Sequence, residues 1–277
     1  SGMKLGLSAS LEHRDADHWA GQLKSLGCES VNFPIPYDAP EEKTRAYVRA
    51  ARDKGLVIAE VGIWKNVLAI DPKERAEARA FAEGQLRLAD EIRALCCVNV
   101  AGTYGGPHWC GAYKENFSSE CWEETVRYCQ ELIDKVKPSR TKFCLEQMPW
   151  MIPTGPDETL RLLEDVDREA FGVHLDMVNM VNSPERYFFL DEFMEDCFSK
   201  LGDKILSCHL KDIRLKEEFT FQLEETKCGL GTMNIKKHLE LVDRYNSDMP
   251  VIIEHLDSDE AYKDALRYVQ ELIKTNH

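Results

Sequence analysis

Short runs of β-branched and apolar residues alternate with stretches in which apolar side chains recur every three or four positions, and this exchange of period repeats along the whole chain. The apolar runs begin near Lys4, Cys28, Leu56, Arg93, Lys142, Phe171, Ile205 and Val251 and predict eight strands. The helical period predicts helices over 15–26, 40–54, 71–91, 118–136, 156–166, 185–201, 234–245 and 258–274. Pro40 and Pro72 stand where helices should start, and Gly27 and Gly55 where they should stop. Eight strand–helix units, strand first, point to a closed parallel barrel, because right-handed crossovers around eight strands remove both sheet edges. An open doubly wound sheet would favour a glycine-rich phosphate loop after the first strand, and Ser8-Ala9-Ser10-Leu11-Glu12 offers none. No linker or low-complexity segment interrupts the pattern. The expected fold is therefore α/β, a single (β/α)8 TIM barrel over 3–277, with Ser1-Gly2 read as a tag remnant.

Composition then narrows the partners. Hydrophobic residues make up 43% of the 277 positions, yet no run approaches the roughly 18 apolar residues a membrane span needs. A balance of 35 Lys+Arg against 49 Asp+Glu, net -14, argues against nucleic acid and anionic membranes as partners. The ten cysteines form no CxxC pair and several lie in apolar runs such as 94–98, so buried reduced thiols are expected rather than disulfides or a zinc cluster. The start at Met3-Lys4-Leu5-Gly6-Leu7 lacks a charged leader with a cleavage site, which makes the cytoplasm the expected compartment.

In a parallel barrel the C-terminal strand ends build the active site, so polar residues late in apolar strands carry the candidate chemistry. Four stand out on consecutive strands: Glu146 after Phe143-Cys144-Leu145, Asp176 after Val173-His174-Leu175, His209 after Leu206-Ser207-Cys208, and Glu254 after Val251-Ile252-Ile253. Singly, each is explained by an ion pair or a hydrogen-bonded core position. Together, at equivalent depth, they would be costly to bury without a shared cation. Three carboxylates and one imidazole suit Mn2+, with Mg2+ or Co2+ as alternatives, better than structural zinc.

These residues resemble the xylose-isomerase-like TIM barrels, a superfamily that includes tagatose 3-epimerase-type enzymes, hydroxypyruvate isomerases, inosose dehydratases and endonuclease IV. The resemblance spans essentially the whole chain and is carried by Gly172-Val173-His174-Leu175-Asp176, His209-Leu210-Lys211-Asp212-Ile213-Arg214, Gly229-Leu230-Gly231-Thr232-Met233-Asn234 and Ile252-Ile253-Glu254-His255. Glu146-Gln147-Met148-Pro149-Trp150 and the 178–184 segment are in the character of the sugar phosphate isomerase/epimerase group. It departs from the tagatose-epimerase pattern in two places. Asn179 stands where that pattern has a substrate-holding His, and Leu215 where it has an Arg, with Arg214 one place earlier. The 209–214 segment looks more like the dehydratase branch. Endonuclease IV fits less well, since the third and fourth strand ends, 60–63 and 100–103, lack its further His ligands.

The resemblance implies a divalent-metal-dependent sugar isomerase or epimerase working through an enediolate, with Glu146 and Glu254 exchanging the proton. A lyase or dehydratase acting on a keto-inositol or 3-keto-glycoside is the alternative, and a non-catalytic sugar-binding subunit a third reading. The expected partner is a small sugar or sugar derivative, and the resemblance suggests a homodimer or homotetramer. Lys211, in phase with His209, and Arg214, Trp64, His108, Trp150 and Asn179 are the candidate substrate contacts. His174 is in phase with Asp176 but one layer deeper, which favours a core role. The connections 103–117 and 214–233 are the longest irregular ones, and the charge runs in the second read as solvated.

Overall fold

The computed structural model describes residues 3–275, so the tag reading of Ser1-Gly2 lies outside them. Eight parallel strands form the barrel: β1 (Lys4–Leu7), β2 (Ser30–Asn32), β3 (Val57–Gly62), β4 (Cys96–Asn99), β5 (Lys142–Leu145), β6 (Phe171–Asp176), β7 (Ile205–Leu210) and β10 (Pro250–Ile253), paired in the order β1-β10-β7-β6-β5-β4-β3-β2. The seam between β1 and β2 is nearly closed. Glu29 N–H donates to Leu5 O at 2.8 Å and Ser30 Oγ to Lys4 O at 2.7 Å. Gly6 permits this approach, since a Cβ there would lie 2.5 Å from Ser30 O.

Helices α1 (Ala16–Ser25), α2 (Glu41–Asp53), α3 (Pro72–Glu91), α4 (Ser119–Val136), α5 (Pro156–Val166), α6 (Pro184–Phe188), α7 (Leu190–Leu201), α8 (Ile235–Tyr245) and α9 (Asp259–Lys274) cover the barrel. Their starts follow from local chemistry: Asp15, Asp71, Ser118 and Ser258 each accept a backbone N–H in the first turn. Gly27 and Gly55, at φ +94° and +67°, end the first two helices as expected. No helix among the described residues is long and apolar enough to cross a membrane. The ten cysteines are unpaired thiols, nine of them buried, and burial pushes the Cys28 thiol up to about 12.

Two expectations are corrected. The helix predicted over 185–201 is two, broken at Phe189 (φ -113°, ψ 41°), where Arg186 turns to Thr154 O and Met180 O and Tyr187 Oη accepts from Leu215 N–H. The connection expected to be irregular over 214–233 contains strand β9 (Leu223–Thr226), which pairs antiparallel with β8 (Asp212–Leu215) to make a hairpin. Asp212 anchors the base: its carboxylate accepts from the N–H groups of Ile213, Gly229, Gly231 and Met233.

Behind the barrel wall, His238 on α8 is fully buried against Phe198, and neither ring nitrogen has a hydrogen-bond partner. Burial pushes its pKa down to about 4. An unfolded imidazole titrates near about 6.5, so below that pH the unfolded chain takes up a proton that the folded chain refuses. Stability is thus undiminished above that value and falls as the pH drops toward 4, by up to about 3 kcal/mol. Urea unfolding at pH 7 and pH 4.5 should register this loss, and His238→Leu should reduce it. An equal loss in both proteins would place the titration elsewhere.

Candidate metal centre

Glu146, Asp176, His209 and Glu254 converge at the C-terminal mouth, their nearest donor atoms all within 4.8 Å of one another. Each is placed by its strand. Glu146 follows β5, its N–H donating to Asn99 O on β4, and Glu254 follows β10, its N–H donating to Leu210 O on β7. Asp176 ends β6 directly opposite His209 on β7.

The chemistry of the donor atoms fits a cation. Asp176 Oδ1 accepts from Asn179 N–H at 3.1 Å, which leaves Oδ2 free to face the cluster. Asp176 Oδ2, Glu146 Oε1 and His209 Nδ1 are all buried without a hydrogen-bond partner, although the Lys211 ammonium lies 3.1 Å from Asp176 Oδ2 as an ion pair. Although His209 Nδ1 lies only 2.7 Å from Glu146 Oε1, the two atoms do not point at each other as donor and acceptor. Three orphaned donors aimed into one space are the arrangement a shared metal ion resolves.

Behind His209 stands Glu60 of β3, a residue the strand-end reading passed over. Its carboxylate takes His209 Nε2–H at 2.7 Å, His174 Nε2–H at 2.9 Å and the Ser207 hydroxyl at 2.5 Å, all buried. Holding Nε2–H leaves Nδ1 as the ring nitrogen that faces the cluster, the one that would give its lone pair to a cation on losing its proton. Burial works to raise the Glu60 carboxyl, but the two imidazoles outweigh it and hold it well below the usual carboxylate range. For Glu146 burial wins and pushes the carboxyl up. Burial would raise Asp176 and lower His209, yet Lys211 beside the first and Glu60 and Glu146 beside the second reverse both directions.

The family model for the xylose isomerase-like TIM barrel matches residues 20–272. The chain belongs to this family. Among solved structures it is similar to a xylose isomerase-like TIM barrel protein from Mycobacterium smegmatis in complex with magnesium, at 16% identity and a TM-score of 0.68, covering 99% of this chain and 97% of that one. The 3-keto-D-glucoside 4-epimerase of E. coli matches at 15% identity and a TM-score of 0.70, over 97% and 99% of the two chains. A D-psicose 3-epimerase from Clostridium cellulolyticum matches at 15% and 0.71, over 99% of both. No curated protein matches in sequence.

In this xylose isomerase-like barrel the remaining candidates divide. Lys211 is buried in the cluster, its Nζ 2.6 Å from Glu254 Oε1, 3.1 Å from Asp176 Oδ2 and 2.8 Å from Glu225 Oε1. Burial works to lower its pKa, but these carboxylates raise it well above the usual lysine value. Glu225, in a run read as solvated, is thereby corrected: β9 brings it over the mouth, where His255 also bonds it. Trp64 lies against the inner wall, its ring centroid 6.3 Å from that of His209. Gly62 makes room for it, since a Cβ there would lie 2.2 Å from the indole nitrogen. Trp150 donates from Nε1 to Cys110 O and so ties the 103–117 connection to the end of β5.

The structure does not bring the others into the cluster. Arg214 is exposed on the hairpin and pairs with Glu224. His108 is exposed and accepts the Cys110 N–H within its own loop. Asn179 is buried and spends its amide on Gln147 O at 3.0 Å, while its backbone N–H steadies Asp176. His174, expected in the core, is fully buried one layer below Asp176 but does reach the cluster, its ring centroid 4.2 Å from that of His209 and its Nδ1 3.9 Å from Glu146 Oε1.

Proposed function

We propose that this barrel is a divalent-metal-dependent epimerase or isomerase of a sugar or sugar derivative, moving a proton at the carbon next to a carbonyl. The observation that carries the reading is the convergence of two carboxylates, Glu146 and Glu254, on one buried donor set with Asp176 and His209. Those four would hold the ion, Mn2+ by preference and Mg2+ or Co2+ as alternatives. Once bound, the metal supplies a Lewis acid that lowers the cost of negative charge on the substrate's oxygens.

The protein's own groups then handle the proton. Glu146, with its carboxyl raised by burial, is poised as a base on one side of the substrate carbon, and Glu254 stands on another to return the proton to the enediolate. Return to the opposite face of the same carbon is epimerisation; return to the former carbonyl carbon is isomerisation. Glu60 holds His209 Nε2–H and so keeps Nδ1 turned toward the metal position, and Trp64 offers an apolar face beside the site. The similar 3-keto-D-glucoside and D-psicose epimerases support sugars of this kind as substrates.

A second reading, a lyase or dehydratase on a keto-inositol or 3-keto-glycoside, is favoured by Lys211, a buried ammonium bonded to Glu254 and placed to protonate a leaving group. Incubating the Mn2+-loaded protein with a panel of ketoses and keto-glycosides in deuterated water separates the two. Deuterium at the carbon next to the carbonyl, with all other mass retained, is the expected result. Loss of water or an aglycone would favour the lyase, and no exchange in any substrate would count against both.

A further inference from the structure

We propose that Lys211 is a resident counter-cation that competes with the divalent metal for Asp176 and Glu254, and thereby sets how tightly the site holds its metal. The inference rests on the metal-site reading above and adds a role for a side chain outside the donor set. The Lys211 ammonium occupies Glu254 Oε1 and approaches Asp176 Oδ2, at 2.6 and 3.1 Å. These are the oxygens that face His209 Nδ1, which lies 4.0 and 3.7 Å from them. A lone pair committed to an ammonium hydrogen is withdrawn from a metal, and an ammonium beside a dication is repelled by it.

The arrangement also explains how the site exists before a metal arrives. The carboxylates of Asp176, Glu225 and Glu254 lie within 3.1 Å of the Lys211 ammonium, and Glu146 joins Asp176 and Glu254 in the donor cluster, so their mutual repulsion calls for positive charge among them. Lys211 places one such charge there from within the chain. Glu225 provides the ammonium with somewhere to go. It lies 2.8 Å from Nζ on the hairpin strand β9, it is outside the donor set, and its side chain is 35% exposed. As a metal takes the inner oxygens, the ammonium shifts its bonding toward Glu225, at the rim where a substrate enters.

The two residues should therefore act on metal affinity in opposite directions. In Lys211→Met the competitor is gone. In Glu225→Gln the outer partner is weakened, leaving the ammonium committed to the inner pair. Full-length proteins stripped with EDTA and titrated with Mn2+, with the free ion read by electron paramagnetic resonance, give the dissociation constants directly. Lys211→Met should bind Mn2+ about ten-fold more tightly than wild type and Glu225→Gln about three- to ten-fold more weakly. In EDTA, Lys211→Met should also melt below wild type, and Mn2+ should raise its Tm by more.

A purely architectural lysine would weaken metal binding when removed, so equal or weaker Mn2+ affinity in a folded Lys211→Met overturns the proposal. If Lys211→Met does not fold, Glu225→Gln decides alone: binding as tight as wild type or tighter overturns it. A wild-type chain that binds no Mn2+ would overturn the metal-site reading itself, and the role of Lys211 with it.

Discussion

Glu60→Gln is expected to lower metal affinity about 10- to 100-fold while leaving the barrel folded, the size of effect produced by removing a partner that orients a metal-binding imidazole. The carboxylate accepts from two imidazole N–H groups and a hydroxyl at once, and a carboxamide of the same size has one acceptor oxygen. Its NH2 group must face His174 or His209. Facing His209, it drives that ring into the tautomer that protonates Nδ1 and removes the donor. Glu60→Ala should do more, because it strands two buried imidazoles and a hydroxyl, and a loss of about 3–5 kcal/mol of stability is expected. Mn2+ titration of the Gln variant and urea unfolding of the Ala variant check the two halves. Wild-type metal affinity in Glu60→Gln would mean that His209 is oriented by packing alone.

Glu146→Gln and Glu254→Gln should each retain the fold and part of the metal affinity while losing turnover by about a hundred- to ten-thousand-fold, the range for deleting a positioned base. The losses need not match. The variant that lacks the base for a given direction should fail to exchange the reactive C–H with deuterated solvent, whereas its partner should still exchange without completing the reaction. Following exchange by NMR alongside product formation separates these behaviours. Turnover near wild type in either variant would move the proton to another group, with Lys211 and His174 next in line.

The four proposed ligands were legible because a barrel converts position along a strand into position in space. A charged or imidazole side chain at the end of an apolar strand has nowhere to lie except the mouth. Glu60 carries the same signal, a carboxylate inside the apolar run 57–63, but it lies within its strand rather than at the mouth end, and its partners His174, Ser207 and His209 are 114 to 149 residues away. A buried carboxylate needs a partner, and the in-phase His174 was the clue that would have supplied one.

The amino-acid pattern by itself determined the eight strand–helix units, the helix boundaries at Pro40, Pro72, Gly27 and Gly55, and the four polar residues at or beside the ends of β5, β6, β7 and β10, because period, helix punctuation and strand alternation are local properties. Only the tertiary structure decided that Glu60 holds His209 from across the barrel, that Lys211 sits among the carboxylates, and that a hairpin carries Glu225 over the mouth while Arg214 faces away. Those outcomes depend on barrel closure and on how an irregular connection folds back. Both bring together charges far apart in sequence, and the energies that choose their partners arise only when the groups share one buried space.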